Sequence, residues 1–342
     1  PSKQEEKTMR PSQLTSLLVE LLPSGLSVLI KGRPGVGKTD IVNETAKRLG
    51  MDIVTSHPVV SDPTDYKGLP FVIDKHAEFL PFDNLRILID AKKPTINFLD
   101  DLGQAPPAVQ AAVMQLLWSR MLDGKKISDN VVFVAATNRK EDKASVAGIL
   151  EPVKSRFTTI VELEADHDEW TMWAMQHKMP QQLIAFINAR PNLLCDFQPT
   201  SDIVNTPTPR TVANLGMLMN CNLSDAVFFE AAKGAVGEGF VSEFRGFLDV
   251  YKFLPDPKEA LKNPDDITIP TDPSTKYAFL VGLVFNVTKK TMGNFVTIME
   301  RLGDDFAAAG VNMVVTMAKD KKLCETDAYA LFVAKHQEIL AG

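Results

Sequence analysis

Short apolar runs alternate with segments of helical period over roughly the first half of the chain. Leu26-Ser27-Val28-Leu29-Ile30 reads as a buried strand. Ile41, Val42, Ala46 and Leu49 then recur on one helical face that Gly50 closes. Asp52-Ile53-Val54-Thr55, Thr95-Ile96-Asn97-Phe98-Leu99, Val131-Val132-Phe133-Val134-Ala135 and Thr159-Ile160-Val161 are further strand-like runs. Pro106 to Leu117 predicts a helix, with Pro106 and Pro107 in its tolerant first turn. Upstream, Leu14, Leu17, Leu18, Leu21 and Leu22 predict a helix with Ser12 as its N-cap. His57 to Asp90 is rich in Pro, Asp and Gly. There Phe71-Val72-Ile73 and Phe79-Leu80 predict a small hairpin set among loops. Strands alternating with helices imply an α/β fold with a mostly parallel sheet and helices on both faces.

Beyond Glu164 the pattern changes. Trp170 to Ile187 and Thr211 to Met219 carry helical periodicity with no further strand signal. A stretch rich in Pro and Asp, from Pro255 to Pro273, reads as a linker, and Lys276 to Leu340 predicts two or three more amphipathic helices. The expected division is an α/β unit over 1–165, a helical lid over 166–254, a linker over 255–273 and a helical extension over 274–342. The cluster Trp170-Thr171-Met172-Trp173 reads as lid core. There are no internal repeats or low-complexity tracts.

Composition narrows the class. The 342 residues carry a net charge of −6, with 45% hydrophobic and 23% charged residues, ordinary for a soluble globular protein. The acidic balance and the lack of a Lys/Arg cluster argue against a nucleic-acid motor. No apolar run approaches the roughly 20 residues of a membrane span, and Pro1 to Arg10 is polar, without the core of a signal peptide. The three cysteines, Cys195, Cys221 and Cys324, are scattered and read as small buried residues of a reducing, cytoplasmic compartment. The five histidines, His57, His76, His167, His177 and His336, form no metal-ligand spacing.

The chemistry lies at the ends of the strands. Gly32-Arg33-Pro34-Gly35-Val36-Gly37-Lys38-Thr39 is a complete G-x-x-x-x-G-K-T between a strand and a helix, the context a phosphate-binding loop requires. Its glycines let backbone N–H groups face phosphate oxygens at a helix N-terminus. Lys38 reaches the β- and γ-phosphates, and Thr39 offers its hydroxyl to Mg²⁺. Asp100 and Asp101 end the third strand, where ligands bind in open parallel sheets. Asp100 is a candidate for supporting Mg²⁺ and Asp101 for the catalytic carboxylate. Asn138, at the end of the next strand, is a candidate for orienting the attacking water. Arg156, just before the fifth strand, is placed to stabilise a transition state if a neighbouring subunit presents it. Arg210 falls in the first turn of a helix, where a cation opposes the helix dipole unless an anion compensates. Each arginine also reads, by itself, as a surface salt-bridge partner.

In this order the motifs resemble an AAA+ ATPase. More narrowly, Leu99-Asp100-Asp101-Leu102-Gly103-Gln104-Ala105-Pro106-Pro107-Ala108-Val109-Gln110 and Asp62-Pro63-Thr64-Asp65-Tyr66-Lys67-Gly68-Leu69-Pro70 are similar to stretches of the MoxR branch. The resemblance is dense from about residue 25 to 220. It implies a P-loop NTPase AAA+ core, a small helical lid, and ATP and Mg²⁺ at their junction. It assigns nucleotide contacts to Gly32, Pro34, Gly35, Val36, Gly37, Lys38, Thr39, Asp40 and Arg210, and Mg²⁺ to Thr39 and Asp100. It makes Asn138 and Arg210 the two sensors and Arg156 the arginine finger. It further implies a homo-oligomeric ring, usually a hexamer, and chaperone-like remodelling of a protein substrate. The expected partner carries a von Willebrand factor A domain, and the segment from Asp62 to Asp90 touches partner or substrate.

One departure changes the expectation. The resemblance calls for Asp-Glu where this chain has Asp100-Asp101, and aspartate is shorter by about one C–C bond, roughly 1.5 Å. A displacement near 1 Å costs on the order of 10²-fold in rate, so slow hydrolysis is expected. A scaffold gated by nucleotide binding, with incidental hydrolysis, is the alternative.

Overall fold

The computed structural model describes residues 8–122, 124–142, 148–199 and 203–335, and divides into two compact units between Ala165 and Asp166. The first unit is built on β1 (Val28–Gly32), β2 (Asp52–Ser56), β5 (Thr95–Leu99), β8 (Val131–Thr137) and β9 (Thr159–Leu163). They form one parallel sheet in the order β2-β5-β8-β1-β9. β5 and β8 are buried along their whole length. Covered on both faces, such strands need no apolar–polar alternation, which is why they read as nearly continuous apolar runs. Met9 bridges to Leu163 on the outer side of β9, extending the sheet by a fragment of the N-terminal segment.

Helices α1 (Pro11–Leu21), α2 (Lys38–Leu49), α3 (Asp83–Asp90), α4 (Pro107–Ser119) and α5 (Glu151–Lys154) complete the unit. Ser12 is not the N-cap of α1. Pro11 takes the first helical position, where its missing N–H costs nothing, and Arg10 caps, its N–H donating to Gln13 Oε1 at 3.0 Å. Helix α3 stands where loops were expected. Leu85 and Leu88 are its buried residues, too short a pattern to register as a period. The expected hairpin is present as β3 (Leu69–Ile73) and β4 (His76–Leu80), turning through Asp74 and Lys75, both at positive φ. It is strongly exposed, with Phe71 55% and Val72 77% accessible. A second, two-residue ladder pairs β6 (Met121–Leu122) with β7 (Lys125–Lys126).

The second unit is helical among its described residues: α6 (His167–Gln176), α7 (Gln181–Ala189), α8 (Pro209–Met219), α9 (Asp225–Val236), α10 (Glu238–Tyr251), α11 (Pro257–Ala260), α12 (Pro273–Asn286), α13 (Met292–Leu302), α14 (Asp304–Lys321) and α15 (Asp327–Lys335). A single apolar cluster runs through it from Trp170 to Phe332. Phe186 lies at its centre, with the rings of Phe240, Phe244 and Phe247 at 5.1, 5.1 and 5.4 Å. Trp170 and Trp173 belong to this packing. The stretch read as a linker contributes buried Ala260 and Leu261, and α12 packs along α7. Among the described residues the tail holds four helices, α12 to α15, where two or three were expected. The cysteines are less buried than expected: Cys221 and Cys324 are exposed and Cys195 is half-buried. The core closes with Leu, Val, Phe and Met instead. His336 lies outside the described residues, and no helix among those described is long and apolar enough to cross a membrane.

Candidate active site

The site lies along the C-terminal edge of the parallel sheet. β1 ends at Gly32 and α2 begins at Lys38, leaving Arg33 to Gly37 as the loop. Gly35 and Gly37 have φ of 75° and 96°, left-handed conformations that a side chain would resist. They let the loop curl onto the N-terminus of α2, where the helix dipole favours an anion. Val36, 4% exposed, pins the loop to the core, Pro34 stays half-exposed, and Asp40 is exposed in the first turn of α2. Lys38 is only 6% exposed. Its ammonium donates to Gly32 O at 3.0 Å, Arg33 O at 2.9 Å and Asn138 Oδ1 at 2.8 Å. Three oxygen acceptors match three N–H donors, which makes a buried charge tolerable.

Strand order decides what meets this loop. β8 lies between β5 and β1, so Asn138 stands between the phosphate loop and the two aspartates. Thr39 Oγ1 donates to Asp100 Oδ2 at 2.8 Å. The Asp101 N–H donates to Asp100 Oδ1 at 3.1 Å, and Asn138 Nδ2 donates to Asp101 Oδ1 at 3.4 Å. Asn138 thus links the ammonium of Lys38 to the carboxylate of Asp101. The hydroxyl of Thr39 and the carboxylate of Asp100 are hard oxygen donors. They suit Mg²⁺, which takes one or two carboxylates and completes its shell with water and phosphate oxygens. Among the described residues no group of three or more His, Cys, Asp or Glu could hold a metal ion by itself.

Asp101 has φ of 58°. Asp and Asn enter the left-handed region more readily than other side chains, because a short polar group can bond locally. An aspartate therefore suits this backbone better than the longer glutamate would. Two residues further on, Gly103 makes a close approach: a Cβ there would overlap Thr137 Oγ1. That contact fixes the turn after β5 against the end of β8.

The sequence reading passed over several residues that hold this edge. Arg139 donates Nε and an Nη to the two carboxylate oxygens of Asp142, at 2.9 and 2.7 Å, and reaches Glu162 at 3.4 Å. Glu162 also pairs with Lys31 at 2.6 Å. The bidentate bond to Asp142 holds the guanidinium's proton more firmly than usual. Arg139 thereby anchors the chain just after Asn138. Its position next to that strand-end Asn was the available signal. Gln110, 1% exposed, donates Nε2 to Ala105 O and Gly148 O and accepts the Leu150 N–H. No local pattern reveals that bond across 38 residues.

Arg156 does not join this cluster, and Arg210 belongs to the second unit. Arg156 is exposed beside the start of β1, where Ser27 Oγ donates to its carbonyl at 3.2 Å. It therefore sits at the edge of the sheet opposite the loop, separated by about five strand residues, roughly 16 Å. Arg210 is exposed in the first turn of α8, in the second unit, behind a capping box of Thr208 and Thr211. Among the described residues neither forms a salt bridge with a carboxylate.

Residues 28–165 match the family described as "ATPase family associated with various cellular activities (AAA)". The first unit is thus similar to AAA-family ATPase domains, and its parallel sheet and phosphate loop have the AAA+ P-loop fold. The "ATPase family gene 2 protein homolog B" of Bos taurus is 33% identical over 141 residues, which is 38% of this chain and 17% of that protein. Among solved structures, the "RuvB Holliday junction branch migration motor" of Thermotoga maritima is 17% identical with a TM-score of 0.41, covering 75% of each chain. A mutant of that RuvB is 15% identical with a TM-score of 0.43, over 98% of this chain and 91% of the other. NtrX from Brucella abortus in complex with ADP is 13% identical with a TM-score of 0.41, over 97% and 68%.

Proposed function

We propose that this chain binds and hydrolyses ATP with Mg²⁺ in a ring of its own copies, and that the cycle remodels a partner protein in the manner of MoxR-branch ATPases. The observation that carries the proposal is the line Lys38–Asn138–Asp101 beside the Thr39–Asp100 pair. The β- and γ-phosphates take the oxygen positions that Gly32, Arg33 and Asn138 supply to Lys38. That exchange releases the Asn138 carboxamide to orient a water toward the γ-phosphorus. The water oxygen bonds to the γ-phosphorus as the P–O bond to the leaving diphosphate breaks, and Asp101 takes the proton the water gives up. Thr39 and Asp100 would hold Mg²⁺, which would supply positive charge to the phosphates.

The position of Arg156 favours the ring. At the edge opposite its own phosphate loop, it can serve only a nucleotide bound by another copy. Arg210 supplies a further cation from the second unit. The exposed hairpin β3–β4 is the contact for a protein partner or substrate, with a von Willebrand factor A protein as the partner and the cytoplasm as the location. A nucleotide-gated scaffold is the second reading, favoured by the short side chain of Asp101.

Phosphate release by the full chain with Mg-ATP tests this. Asp101→Asn is expected to lower turnover by at least about 10²-fold while a fluorescent ATP analogue still binds. Lys38→Ala is expected to lose binding as well. Tight binding without turnover at every protein concentration would sink the hydrolytic reading and leave the scaffold.

A further inference from the structure

The guanidinium carbon of Arg156 lies 6.0 Å from the centre of the Trp118 ring, within reach of a cation–π contact. The two residues come from different elements. Trp118 is in the last turn of α4, and Arg156 follows α5. Core packing does not explain this indole: Trp118 is 69% exposed, on a helix whose buried residues are Val109, Gln110, Ala112, Val113 and Leu116.

The chemistry of the contact matters more than its strength. A salt bridge would occupy the N–H donors of the guanidinium. A ring contact draws on the guanidinium's charge without consuming its hydrogen-bond donors, which stay available for phosphate oxygens. It also restricts a long, flexible side chain before docking, so less freedom is lost when the arginine engages. The same helix holds the other end of this segment. Gln110 binds Gly148 and Leu150, and Leu150 is the N-cap of α5. α4 itself starts just beyond the turn that follows Asp101.

We propose that Trp118 is a positioning residue for Arg156: its indole face holds the guanidinium extended, with its donors free, for the nucleotide of the adjoining copy. The proposal rests on the reading of Arg156 as a cation acting on another copy's site.

The test is a double-mutant cycle in the full chain, reading kcat for phosphate release, affinity for a fluorescent ADP, and melting temperature. Arg156→Ala is expected to lower kcat about 10³-fold without changing nucleotide affinity. Trp118→Leu is expected to lower kcat about 3- to 5-fold, with affinity and melting unchanged, and Trp118→Phe to stay within about 2-fold of the parent. The double variant should turn over no more slowly than Arg156→Ala alone, since Trp118 acts only through Arg156. Trp118→Gln replaces the Leu variant if that variant self-associates. Unchanged kcat in Trp118→Leu, equal losses in Leu and Phe, or losses that add to Arg156→Ala would overturn the proposal. Parent-level kcat in Arg156→Ala would instead overturn the reading of Arg156 on which it rests.

Discussion

The two units use buried polar groups in opposite ways. In the first unit Lys38, Thr45, Thr95, Asn97, Asp100, Gln110, Thr137 and Asp142 are buried; in the second only Thr171, Asn188 and Thr208 are, among the described residues. The bonds differ as well. In the second unit Asn188 reaches Thr171, one helix back, and Thr208 caps its own helix. In the first, Lys38 and Asn138 are 100 residues apart, Thr39 and Asp100 are 61 apart, and Asn138 and Asp101 are 37 apart. Buried polar groups that join distant segments are costly to leave unpaired, so they persist where every member is satisfied or serves the chemistry. The second unit is held by apolar contact, and the first adds a polar seam at one edge of its sheet.

Breaking the apolar unit should have the largest effect on stability and a small one on the seam. Phe186→Ala removes a ring that is 1% exposed and touches three others. A loss of about 3–5 kcal/mol is expected in the urea unfolding of the second unit, with affinity for a fluorescent nucleotide retained. An equal fall in that affinity would show that the seam depends on the apolar unit. Gly103→Ala probes the reverse. The added methyl overlaps Thr137 Oγ1, so the Thr137 side chain or the turn behind Asp101 must shift. Overpacking of about 1–3 kcal/mol is expected, with turnover falling more than nucleotide affinity; a variant with parental turnover would mean that the turn does not set Asp101. Thr208→Ala is the mildest change. Losing the cap of α8 is expected to cost about 1 kcal/mol, read as a small drop in the melting temperature of the second unit with nucleotide affinity unchanged.

The legible parts share one property: they depend on near neighbours in the chain. The glycines of the loop, Lys38 and Thr39, and the carboxylates at the end of β5 all follow from a strand, a turn and a helix in order. The apolar runs that became β2, β5 and β8 were visible because strands buried on both faces leave little else to read. Ser12 was misjudged because Pro11 outranked it for the start of α1. Helix α3 was missed because two buried leucines do not make a period. The exposed cysteines show that a residue type's usual burial says little about one position.

Composition and local pattern alone determined that this chain holds a phosphate loop, a pair of strand-end aspartates and a helical second half. Only the tertiary structure decided that β8 runs between β5 and β1, so that Asn138 bridges Lys38 to Asp101 and Arg156 lies at the sheet edge opposite its own loop. Strand order and the left-handed turn at Asp101 arise from packing between segments far apart in the chain. No window along the sequence contains both partners of such a contact.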